Sequence, residues 1–207
     1  MKIDLTNIKN IIFDLGHVLL NLDFDASIKA FQELGLQQDV LNRQQAYADP
    51  VFYNLEVGKI TPEEFRIRAR KIINNPSATD KQIDDAWYAM ILDIPPNRVK
   101  VLQELGKKYH VYLYSNTNKI HIERLLPEFK TQHGIDFESL FKKVFYSYKI
   151  HDRKPELSSY EKVIAQSGVN PEETIFIDDL EKNIVAAEKA GLKTFWLTEE
   201  MEMAELF

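Results

Sequence analysis

The sequence predicts an α/β protein: a Rossmann-like parallel sheet with helices on both faces, carrying an inserted all-helical domain. Three observations lead there. Beyond Pro95-Pro96, short apolar runs alternate with helical stretches, the succession that builds a parallel sheet through right-handed crossovers. One further apolar run, rich in isoleucine, stands apart near the start of the chain. Between that run and Pro95 no convincing strand occurs. Residues 1–20 and 96–207 are therefore expected to form the α/β core, and residues 21–95 the helical domain.

Residues 9–14 read as a buried strand, short, apolar and soon followed by Gly16. Phe24, Ile28, Phe31 and Leu34 keep helical spacing. Thr61-Pro62-Glu63-Glu64 is a strong helix start, with Thr61 as cap, Pro62 in the first turn and Glu64 closing a capping box. A further helix is expected from a cap at Ser77, with Asp80 at the box position and Ile83, Ala86, Trp87 and Met90 as its apolar stripe. Pro95-Pro96 ends the block. Then come a helix over 97–108, a strand over 111–114 ending in Ser115-Asn116-Thr117-Asn118, and a helix from about Lys119. A strand over 144–147 and a helix over 157–167, closed by Gly168, follow. The last elements are a strand over 174–177 running into Asp178-Asp179, a helix over 181–190 stopped by Gly191, and a strand over 194–197.

At 207 residues, 44% hydrophobic and 11% aromatic, the chain can bury a core of its own. It has no cysteine, so disulfides, thiolate metal sites and cysteine nucleophiles are excluded, and any metal must be held by oxygen or imidazole. No run approaches the roughly 18 apolar residues of a membrane span, and no basic segment precedes an unbroken apolar stretch. The expected setting is cytoplasmic. A net charge of −6 with acids and bases interspersed argues against a nucleic-acid surface.

Ligands of open α/β sheets bind at the carboxyl ends of the strands. The polar residues gather there: Asp14 after the first strand, Ser115-Asn116 after the second, Arg153-Lys154-Pro155 beyond the third and Asp178-Asp179 after the fourth. A carboxylate is costly to bury unpaired, so Asp14 in an otherwise apolar run points to a ligand or a cation. Three carboxylates, a hydroxyl and a lysine on one sheet edge describe a magnesium-dependent phosphoryl site: hard oxygens for the cation, cationic and hydroxyl donors for the phosphate. Asp14 can supply the nucleophile, since carboxylates form acyl-phosphate intermediates.

In order and spacing, Asp14-Leu15-Gly16-His17-Val18, Ser115-Asn116, Lys154-Pro155 and Asp178-Asp179 resemble the motifs of the haloacid dehalogenase superfamily, most of whose members are phosphatases. The match spans the whole chain, and the helical insertion lies where that superfamily carries a helical cap domain. Phe13 to Gly16, Ser115 to Asn118 and Arg153 to Glu156 are most similar to a bacterial branch of small sugar-phosphate phosphatases, the one that includes the α-glucose-1-phosphate phosphatase. The resemblance implies an Mg2+-dependent hydrolase acting on the phosphomonoester of a small metabolite such as a sugar phosphate. A monomer or homodimer is expected, and the charge pattern and the short apolar runs leave neither nucleic acid nor membrane as an expected partner.

By the same resemblance, Asp14 attacks phosphorus and binds the metal together with the Gly16 carbonyl oxygen and Asp179, while Asp178 is a direct ligand or a support. Ser115 and Lys154 complete the catalytic set. Leu15, Gly16, Ser115, Asn116 and Lys154 are implied to hold the phosphate, with His17 a further candidate. One departure matters. Two residues after the nucleophile, the commonest phosphatase form has a second aspartate that protonates the leaving alkoxide; here that position is Gly16. Such help contributes about 10²–10⁴-fold. The similar branch shares the glycine, and His17, a cap residue or the substrate itself are candidates to replace the acid. Glu56, Lys59 and Arg66 either reach a substrate or form solvated surface. Two other readings stay open: a metal-independent haloacid dehalogenase, against which Asp178-Asp179 argues, and a non-catalytic protein of this fold that binds a ligand or partner.

Overall fold

The computed structural model describes residues 2–37 and 43–207. Its strands are β1 (Asn10–Phe13), β2 (His110–Ser115), β3 (Lys143–Tyr146), β4 (Thr174–Asp178) and β5 (Lys193–Trp196). They form one parallel sheet in the order β3-β2-β1-β4-β5. In the centre, Ile11, Ile12 and Phe13 lie level with Val111, Tyr112 and Leu113 on one side and with Ile175, Phe176 and Ile177 on the other. Side chains alternate along a strand, so Ile11, Phe13, Leu113 and Ile177 enter one core layer while Ile12, Tyr112, Tyr114 and Phe176 enter the other. Strands apolar on both faces must be covered on both faces.

Between β1 and Pro95 the described residues contain helices and two single bridges: α1 (Phe24–Leu34), α2 (Arg43–Ala46), α3 (Pro50–Glu56), α4 (Pro62–Ile72) and α5 (Asp80–Tyr88). Residues 38–42 of the expected helical stretch lie outside the described residues. Phe31, Phe52, Leu55, Phe65, Ile83 and Trp87 make a core of their own, with Phe52 and Phe65 ring centroids 5.0 and 5.8 Å from that of Trp87. The capping box opens α4 as expected, Thr61 and Glu64 each taking the other's backbone N–H at 3.2 and 2.8 Å. The start of α5 differs. Its cap is Thr79, boxed with Gln82, because Asn75 Oδ1 already accepts from the Ser77 N–H and hydroxyl. The sequence reading passed over α3, although Asp49 capping Val51 and Pro50 in the first turn are ordinary start signals. The turn after α3 runs close to Tyr148: a Cβ on Gly58, at φ +67°, would stand 2.3 Å from the Tyr148 carbonyl oxygen, too close for any side chain.

Beyond Pro95 the helices alternate with strands. α6 (Pro96–Leu105) and α7 (Lys119–His133) cover one face through Leu102, Leu105, Ile122, Leu125 and Phe129. The short α8 (Ser147–Ile150) follows β3, and α9 (Leu157–Ser167) and α10 (Glu181–Lys189) cover the other face through Tyr160, Val163, Ile184 and Ala187. Ser147, expected as the last residue of a strand, instead opens α8. Its hydroxyl accepts from the Thr117 N–H and donates to the Thr117 carbonyl, both at 2.9 Å, which draws it out of the sheet. Among the described residues no helix is long and apolar enough to cross a membrane.

Candidate active site

Because β1 lies between β2 and β4, the chain leaves the sheet in opposite directions on its two sides, and a cleft opens at their carboxyl ends. Asp14 is the first residue past β1, its N–H still bonded to the Ile177 carbonyl at 2.9 Å. Ser115 ends β2 and Asp178 ends β4, with Asp179 next. One carboxylate oxygen from each of Asp14, Asp178 and Asp179 lies within 4.8 Å of the others.

Lys154 reaches this cluster from the loop after α8 and is 1% exposed. Its ammonium contacts Asp14 Oδ1 at 2.7 Å, Asp178 Oδ2 at 2.7 Å and the Tyr114 carbonyl at 3.2 Å. An ammonium has three N–H donors, so each is engaged. The rings of Tyr114 and Phe176 lie 5.2 and 5.3 Å away and exclude water. Asp178 is enclosed, and its other oxygen accepts from the Leu180 N–H and the Asn183 amide, both at 2.9 Å. Both of its oxygens are thus occupied by protein donors. Asp179 is the more open carboxylate.

Charge is unbalanced here. Burial pushes the Asp14 carboxyl up to about 7; Lys154 pulls it down, and Asp178 and Asp179 push it up again. Burial also raises Asp179, reinforced by Asp178 and opposed by His17 and Lys154. Burial works against the Lys154 charge, but Asp14 and Asp178 prevail and hold the ammonium above its ordinary value. One cation therefore faces three carboxylates in a space of low polarity. A divalent cation would supply the counter-charge, and an all-oxygen donor set suits Mg2+.

A sequence profile for haloacid dehalogenase-like hydrolases matches residues 11–197. The chain belongs to this family. D-ribitol-5-phosphate phosphatase from Bacteroides thetaiotaomicron is 32% identical over 189 residues, covering 91% of either chain. A sesquiterpene phosphatase from Aspergillus oryzae is 29% identical over 206 residues, covering 95% of this chain and 93% of that one. Among solved structures, a family enzyme from Bacteroides thetaiotaomicron in complex with magnesium and inorganic phosphate aligns with a TM-score of 0.89 at 36% identity, over 97% of this chain and 99% of that one. By their names the two phosphatases act on unlike molecules, so membership of the haloacid dehalogenase-like family leaves the substrate open.

The remaining residues of the family motifs are placed less uniformly. The Asn116 side chain, expected to face phosphate, is bound to the Lys154 peptide: its oxygen accepts the Lys154 N–H at 3.0 Å and its amide donates to the Lys154 carbonyl at 2.9 Å. It positions the lysine. Leu15 is buried, and its carbonyl accepts from Leu19 and Leu20. The left-handed residue of this turn is His17, at φ +55°, and not Gly16. A Cβ on Gly16 would meet Leu22 Cδ1 at 2.8 Å, the movable end of a flexible side chain. His17 is exposed, its ring 5.8 Å from that of Phe24 at the start of α1. Of the helical-domain candidates, Arg66 is paired internally with Asp84 through two bonds of 2.9 and 2.8 Å. Glu56 instead contacts Arg153 at 2.5 Å and so ties the helices to the residue before Lys154. Sequence reading missed the Tyr114 carbonyl and also Trp196, whose indole N–H donates to the Asp179 carbonyl at 2.9 Å. Both contacts cross between strands, where spacing along the chain carries no signal.

Proposed function

We propose that this family member is a magnesium-dependent phosphatase that hydrolyses the monoester of a small sugar or sugar-alcohol phosphate, with residues 21–95 as a cap over the cleft. The observation that carries this reading is the meeting of Asp14, Asp178 and Asp179 around the buried Lys154 at the end of β1. The relative named for ribitol 5-phosphate supports the substrate class.

Asp14, Asp179 and the Gly16 carbonyl would hold Mg2+, with Asp178 bracing them, and the bound ion would supply charge stabilisation for the phosphoryl oxygens. Lys154 fixes Asp14 through Oδ1 and offsets negative charge as phosphate approaches. Asp14 forms a bond to phosphorus as the ester P–O bond breaks, and water then hydrolyses the acyl phosphate and frees the carboxylate. Ser115, at the end of β2, supplies a hydroxyl toward the phosphate. The leaving alkoxide needs a proton that Gly16 has no group to give, so esters of acidic alcohols should turn over faster than alkyl esters.

The test is a panel of phosphorylated metabolites and aryl phosphates, run with Mg2+ and with chelator, on the parent and on Asp14→Asn. Turnover that requires Mg2+ and falls by roughly 10⁴-fold or more in the variant is expected. Equal rates in parent and variant would remove the enzyme reading.

A further inference from the structure

Trp196 stands at the last position of the edge strand β5 and is 44% exposed, an unusual place for a large apolar side chain. In the β4–β5 register it lies level with Asp178. The next residue, Leu197, donates its N–H to the Asp178 carbonyl at 3.0 Å, and the Trp196 indole donates to the Asp179 carbonyl at 2.9 Å. Two successive carbonyls, of Asp178 and Asp179, are thus held by two successive residues leaving β5. On the other side, the Leu180 N–H is held by Asp178 Oδ1 at 2.9 Å. The peptide between Asp179 and Leu180 is therefore fixed at its carbonyl by Trp196 and at its N–H by Asp178. That peptide sets the direction in which the Asp179 side chain leaves the backbone.

The geometry points to Trp196 as a positioning residue for the metal site: its indole N–H orients Asp179 as a ligand for the divalent cation. This rests on the reading of Asp179 as a metal ligand. Partners that orient ligands typically change metal affinity by 10–100-fold when removed. Trp196 touches no reacting atom, so its effect belongs to metal binding and not to the chemical step at saturating metal.

Trp196→Phe keeps an aromatic ring and removes the donor. Mg2+ affinity of the substrate-free protein, measured by isothermal titration and by competition against Mn2+ followed by electron paramagnetic resonance, should weaken about 10-fold. The kcat at saturating Mg2+ should stay within about twofold of the parent. Trp196→Gln, which retains an N–H donor, should recover part of the affinity. Val185→Ala, at a position of matching exposure (43%) on α10, should leave it unchanged. Thermal unfolding in chelator, within about 2 °C of the parent for Trp196→Phe, shows that the fold is kept. Parent-like Mg2+ affinity in Trp196→Phe overturns the proposal, as does a loss in Trp196→Gln equal to that in Trp196→Phe. A parent that binds no Mg2+ would instead overturn the phosphatase reading itself.

Discussion

His121 is enclosed between the Trp87 and Tyr88 rings, with centroids 4.9 and 6.0 Å away, and its Nε2 donates to the Trp87 carbonyl at 3.1 Å. Burial lowers it to about 4, the hydrogen bond to Trp87 opposing that shift only in part. The native state therefore resists a proton that the unfolded chain accepts near pH 6.5. Stability from this residue is complete above pH 6.5 and is lost as pH falls from there toward 4, on the order of 3 kcal/mol in all. His121→Gln keeps a donor but has no proton to take up. In urea unfolding, the stability advantage of the parent over this variant should shrink between pH 7 and pH 4.5, and an advantage independent of pH would show that His121 does not titrate in this way. The residue stands in α7, while its partners belong to α5, so the same titration weakens the contact between these two helices.

Among the elements, the turn following α3 packs closely against α8. Gly58→Ala would force a left-handed residue and place its Cβ 2.3 Å from a backbone oxygen that cannot move aside cheaply. Gly134, at φ +74° and closing α7, has nothing within 4 Å of its would-be Cβ. Alanine at 134 should cost about 1 kcal/mol and at 58 roughly 3 kcal/mol or more in urea unfolding. Equal losses would mean that the approach at Gly58 is relieved by a small shift. The elements themselves were largely legible, because each strand is a short apolar run and each long helix repeats its apolar residues. The helix 157–167, closed by Gly168, was read to the residue. Errors lie where side chains compete for a backbone group. Asn75 removes Ser77 from capping α5, and the Ser147–Thr117 pair shortens β3. Among the candidate site residues, Asp14, Ser115 and Asp178 were legible because each lies at or next to the end of its own strand; the inward turn of Asn116 and the reach of Trp196 were not, since neither leaves a periodic trace.

For the molecule as a whole, the charge imbalance at the cleft links metal to stability. With the Asp14 carboxyl at about 7 in the fold and near 3.9 in the unfolded chain, the metal-free native state holds a proton that the unfolded state has released. Its contribution therefore becomes unfavourable as pH rises from about 4 through 7, and Mg2+ relieves that penalty. Saturating Mg2+ should raise the unfolding temperature by several degrees, and by more at pH 8 than at pH 5.5. A shift that is equal at both pH values would separate Asp14 from the metal.

The Lys154 ammonium has a further consequence. Its three hydrogens go to a residue following β1, a carbonyl on β2 and a side chain ending β4, which are the three adjacent central strands. The group proposed to serve the chemistry also ties those strand tips together. Replacing it with methionine should silence the enzyme and also speed amide hydrogen exchange at Leu113 to Ser115 and Ile177 to Asp179. An inactive lysine variant would then report on the hem of the sheet as much as on catalysis.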